Sequence, residues 1–62
     1  MIGQFRGIFK IMPPGSLRMI LIDKKRFYVD FEKGYDQTKG INVGDRVKID
    51  YKNENNFDIK KI

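Results

Sequence analysis

Apolar and polar residues alternate with a period of two in five segments of this 62-residue chain, and no segment repeats every 3.6 residues. The clearest alternation lies in the last third, Ile41 to Ile62. Val43, Val47, Ile49 and Tyr51 share one face of a strand running from about Val43 to Asn53, with Asp45 interrupting it near the start. Phe57 and Ile59 continue that face on a second strand, Phe57 to Ile62. A loop of Glu54, Asn55 and Asn56 sets Tyr51 opposite Ile59, Lys52 opposite Asp58 and Asp50 opposite Lys60. Each such charge pair is worth roughly 0.2–1 kcal/mol. The register with Tyr51 opposite Phe57 sets like charges against each other, so the first is expected. Its loop places Asn56 in a left-handed conformation.

Three more strands precede this hairpin. From Met1 to Met12, Phe5, Phe9 and Ile11 share a face with Gly3 and Gly7, and Gln4, Arg6, Ile8 and Lys10 share the other. Glycines inside a strand permit a bend. Pro13-Pro14-Gly15-Ser16 ends that strand, because proline lacks the ladder donor and Pro-Gly favours a turn. A hairpin follows, Leu17 to Phe31, with Asp23, Lys24 and Lys25 as its loop. That loop gives an apolar face of Leu17, Met19, Leu21, Phe27, Val29 and Phe31 and an outward face of Arg18, Ile20, Ile22, Arg26, Tyr28 and Asp30. A slip by one residue carries Arg18 to the core side beside Phe31, which disfavours it. Glu32 to Gly40 is polar and short, and reads as a loop with at most one helical turn. The expected core is Val47, Ile49, Phe27, Val29, Phe31, Phe5 and Phe9.

Five short strands bury one face only if the sheet curls. The expectation is therefore a single all-β domain over residues 1–62, a closed or nearly closed five-stranded barrel. A long first strand bent at glycine suits such a barrel, since one strand must pair on both sides. The order of elements resembles the oligonucleotide/oligosaccharide-binding (OB) fold, in a form lacking the usual helix between strands three and four. Gly44-Asp45-Arg46-Val47-Lys48-Ile49 looks like the GDxVxI start of the fourth strand in such barrels. SH3-like barrels carry a similar motif and are the alternative. The OB resemblance implies a ligand across strands two and three, at Arg18, Ile20, Ile22, Arg26 and Tyr28, with Arg6, Ile8 and Lys10 from strand one. It also implies flanking loops at Pro13 to Ser16 and Asn53 to Asn56.

Composition narrows the chemistry. There is no Cys and no His, so thiolate, zinc and haem sites are not expected, and no cofactor is. Ser16 and Thr38 are the candidate nucleophiles and lack a base, so the chain is not expected to be an enzyme. No 18-residue apolar run suggests a membrane span. The first residues lack the basic-then-apolar layout of a signal peptide, and a cytoplasmic protein is expected.

Net charge is +5. Residues 1–31 carry six basic and two acidic side chains, hence +4, and residues 32–62 carry seven and six, hence +1. Excess charge on the first three strands favours a polyanion. With one aromatic on the same face, the residues expected to bind single-stranded nucleic acid are Arg6, Lys10, Arg18, Arg26 and Tyr28. The rival expectation is a protein-interaction or self-assembly module using Ile8, Ile20 and Ile22 as an outward apolar patch.

Overall fold

The first strand decides the shape of the rest. In the computed structural model, which describes residues 1–11 and 15–62, strand β1 runs Ile2–Lys10. The expected Pro13-Pro14 turn lies outside the described residues. β1 pairs with β4 (Arg46–Asn53) through Ile2, Gly3 and Gln4, and with β2 (Leu17–Ile22) from Phe5 onward. Between Phe5 and Gly7 the β1–β2 register shifts, leaving Arg6 as the extra residue of a bulge. Gly7 sits there at φ 130, a conformation that a side chain would strain. One strand thus serves two hairpins, as the glycine placement suggests. The bulge also shifts the alternation by one. Phe5 is buried before it, whereas beyond it Ile8 packs on the core and Phe9 is 44% exposed.

The second hairpin joins β2 to β3 (Lys25–Asp30), pairing Ile22 with Lys25, Ile20 with Phe27 and Arg18 with Val29. This is the disfavoured one-residue slip. The loop holds two residues, Asp23 and Lys24, and Asp23 adopts φ 52. Short hairpin loops need such a left-handed residue, and Asp tolerates it. Asp23 also docks the turn on β1, its N–H donating to Gln4 O at 2.9 Å and its Oδ1 accepting from Gln4 N at 3.0 Å. Gly3 makes room, since a Cβ there would collide with the Asp23 carboxylate. The slip leaves Phe27 and Val29 facing inward and inverts β2. Ile20 and Ile22 are fully buried, while Leu17, Met19 and Leu21 are only half-buried. Arg18 is tolerated because its guanidinium covers the Phe31 ring at 4.2 Å instead of entering the core.

β4 and β5 (Asn56–Lys61) also adopt the register not expected, with Tyr51 opposite Phe57 and Ile49 opposite Ile59. Apolar residues then face each other directly, and Ile49, Phe57 and Ile59 are all buried. Burying such a side chain is worth about 1.5–3 kcal/mol, more than a surface charge pair. Asp50 opposite Asp58 and Lys48 opposite Lys60 lie on the exposed side, where water screens them. The turn is Glu54-Asn55, with Asn53 Oδ1 accepting from Asn55 N at 2.9 Å. Asn56 lies in the strand, and Asp23 is the one non-glycine residue at positive φ among those described. Val43 precedes β4 and is 68% exposed.

The sheet order is β3-β2-β1-β4-β5, all antiparallel, so the all-β class holds. The sheet does not close, because β3 and β5 do not pair. The connector expected as a loop is instead a helix, α1 (Phe31–Thr38), and it stands beside that gap. Asp30 caps it, accepting from Lys33 N at 3.1 Å, and Glu32 adds negative charge to the first turn. Gly34 lets the helix approach the sheet: a Cβ there would lie 2.8 Å from Val29 Cγ2 and 3.2 Å from Ile8 Cδ1. Gln37 then brackets the free edge of β5, donating to Phe57 O at 2.8 Å and accepting from Ile59 N at 2.7 Å. On the other edge, Tyr51 Oη donates to Tyr28 O at 2.7 Å, and Asp30 N donates to Glu54 O at 2.8 Å.

Of the expected core, Phe5, Val29, Val47 and Ile49 are buried and Phe27 packs against them. Phe9 and Phe31 are exposed, and Ile20, Ile22, Phe57 and Ile59 complete the core. The inverted β2 face has a direct test by urea denaturation. Ile20→Ala should cost about 2–5 kcal/mol and leave so small a domain largely unfolded. Met19→Ala should cost much less. The opposite ranking would restore the register with Ile20 facing water.

Candidate functional site: the outer face of β1, β2 and β3

Cross-strand pairing places Phe9 beside Met19 and Met19 beside Tyr28, a row across three strands. The flanking row, Ile8, Ile20 and Phe27, packs into the core, so the Phe9 row points outward. Phe9 and Tyr28 are each 44% exposed, and Met19 between them is half-buried. The Phe9 ring leans back over Gly7, where a Cβ would stand 3.1 Å from Cζ and 3.2 Å from Cε2. Gly7 therefore lets the ring lie against the sheet. Leu21, paired with both Gly7 and Arg26, extends the row on one side.

The expected binding residues separate on this frame. Arg26 and Tyr28 share the outer side of β3, both exposed. Arg6 is exposed at the bulge, and Lys10 is exposed at the end of β1. Arg18 does not share that face. It is half-buried on the helix side of β2, with Nη1 donating to Leu17 O at 3.0 Å and the guanidinium 4.2 Å above Phe31. It forms no ion pair with Asp30, whose carboxylate caps α1. The outward patch of Ile8, Ile20 and Ile22 does not exist. Ile20 and Ile22 are fully buried, and Ile8 packs against them. The bulge and the slipped hairpin, each moving alternation by one position, account for the reversal.

Phe9 and Met19 were missed as surface residues for the same reason. One signal pointed to them. Ile8, Ile20 and Ile22 all fell on the exposed side of the expected faces, which is costly for three isoleucines in so small a chain.

Two rings supply stacking surface, and Arg6 and Arg26 supply positive charge without an ion-pair partner among the described residues, while Lys10, paired with Arg18, falls on the helix side. No group of three or more acidic residues among those described is placed to hold a metal. No helix among them is long and apolar enough to cross a membrane. A shallow cleft of about 290 Å³ lies elsewhere, between Ile2, Gly3, Gln4, Asp23 and Arg46. Asp23 is already engaged there by the backbone of Gln4.

Asp45 carries the one clear electrostatic perturbation. Its carboxyl is held below the ordinary carboxylate value, chiefly because Asn42 N donates to Oδ2 at 2.8 Å. Partial desolvation opposes this, and the Lys61 ammonium 3.5 Å away adds to it. These contacts fasten the Asn42–Asp45 turn, whose Gly44 N and Asp45 O bond both backbone groups of Phe5 at 2.8 Å. A depressed folded-state value means that the stabilisation is present above the ordinary value and is lost as pH falls through the folded one. Asp45→Asn should therefore unfold at lower urea than wild type at neutral pH, and the two should converge as pH falls through the lowered folded-state value. A gap independent of pH would remove the carboxylate from this account.

Comparison with known protein families, with curated proteins and with solved structures finds no match for this chain.

Proposed function

We propose that this chain is a non-catalytic module of the OB type that binds single-stranded nucleic acid on the outer face of β1, β2 and β3. The observation that carries the reading is the row Phe9–Met19–Tyr28, with two exposed rings beside Arg26 and Arg6. Single strands are held by cations along the phosphates and by rings under the bases, roughly 1–3 kcal/mol per stacked base. The fold-level part rests on the bent first strand that pairs on both sides and on a helix between β3 and β4. Both favour the OB arrangement over an SH3-like one. The +4 charge of residues 1–31 lies on the strands that build this face.

A second reading has its own support. Leu17, Met19 and Leu21 turn their half-buried side chains to the same outer side of β2. An apolar strip there suits a contact with a second copy or another protein.

Fluorescence anisotropy with a labelled single strand at two salt concentrations, beside light scattering, separates the two. Affinity should fall with salt by about −0.7 in log–log slope per phosphate neutralised. Arg26→Ala should weaken binding and flatten that slope. Phe9→Ala and Tyr28→Ala should weaken binding about five- to hundredfold without changing it. Absence of binding at low salt, together with a defined oligomer that Met19→Glu dissociates, would replace this reading with the assembly one.

A further inference from the structure

Arg18 holds a charge that the fold does not neutralise. Its guanidinium is pinned by Leu17 O at 3.0 Å and stacked on Phe31 at 4.2 Å, with the Tyr35 ring 5.9 Å away. No carboxylate lies within ion-pair distance among the described residues. Arg18 Nε is sealed from water and has no hydrogen-bond acceptor among the described residues. Unpartnered polar atoms of this kind are rare in folded proteins and call for an explanation. Lys10, the cross-strand partner of Arg18, adds a second cation, exposed and without an ion pair among the described residues. Beside them Phe31 and Tyr35, one helical turn apart on α1, meet edge to face at 5.1 Å and remain 39% and 45% exposed.

Packing alone explains little of this arrangement. A stack that merely shields Phe31 leaves Tyr35 open, and a lysine stem would cover the ring without sealing an unpartnered donor. The half-buried guanidinium lacks an anion among the described residues, and its accessible end rather than the sealed Nε can meet an oxyanion, while the open ring accepts a flat apolar surface. One nucleotide supplies both.

We infer that Arg18, Lys10 and Tyr35 form a second contact zone for the bound single strand, taking a phosphate on the two cations and a base on Tyr35. The inference rests on the nucleic-acid reading above and adds a site to it. The zone begins one residue along from the outer row on two strands, Lys10 following Phe9 and Arg18 preceding Met19. A strand leaving the Phe9–Tyr28 row thus meets it by crossing the end of β1 and β2 toward α1.

The test uses the full chain and a labelled oligothymidylate of about twelve nucleotides, within the span that such modules cover. Tyr35→Ala, at an exposed position, should melt like wild type. It should bind about five- to hundredfold more weakly with an unchanged salt slope. Arg18→Gln should flatten the slope by about 0.7, and Arg18→Lys should restore the slope but not the affinity. Wild-type binding by all three variants, with Arg26→Ala and Tyr28→Ala still impaired, would overturn the second zone and leave the first. No binding by wild type would overturn both.

Discussion

The bulge at Arg6 and Gly7 is the constraint on which the other features depend. It admits one extra residue into β1, and Gly7 accepts the positive φ that this requires. Two consequences follow from that single position. β1 bends enough to pair with β4 at one end and β2 at the other, so the sheet curls around one core. The side-chain alternation also reverses within the strand, burying Phe5 and Ile8 and turning Phe9 outward. A regular strand would bury Phe5 together with Phe9 and leave Ile8 exposed.

The curl brings the two sheet edges near each other without joining them. An unpaired edge is a template for another chain, and each edge here is met by groups other than a strand. On β5, the Gln37 carboxamide meets one carbonyl and one N–H as a neighbouring strand would. On β3, Tyr51 and the Glu54 carbonyl take up the backbone of Tyr28 and Asp30. The helix therefore covers the core at Gly34 and finishes the edge at Gln37. Its short length is enough because Asp30 caps it and Thr38 returns its hydroxyl to Gly34 O at 2.8 Å.

The five strands were legible from period-two alternation, as were buried Val47 and Ile49 on β4, the face shared by Phe57 and Ile59, and the double pairing of β1. What could not be read were the offsets. Registers were weighed by surface charge pairs, yet Ile49 against Ile59 and Tyr51 against Phe57 outweigh Asp50 against Asp58. The Asp23-Lys24 turn was a residue shorter than the loop assumed, which inverted β2 and brought Arg18 to Phe31. Helix α1 was hidden because its buried contacts come from Gly34 and Thr38, residues with no hydrophobic signature. Of the candidate site, Arg26 and Tyr28 were found on the outer face with Arg6. Phe9 and Met19 were concealed by the bulge.

In the proposed reading, this bulge places Phe9 on the outer face as a partner of Tyr28 in gripping a single strand. An NMR titration of the aromatic and methyl signals with an unlabelled oligothymidylate tests it most directly. The ring signals of Phe9 and Tyr28 and the Met19 methyl should move together with added strand, while those of Phe5, Ile49 and Phe57 stay in place. Movement confined to β4 and β5, or a Phe9 ring that shows contacts to Phe5 and Ile49 and ignores the strand, would contradict the account.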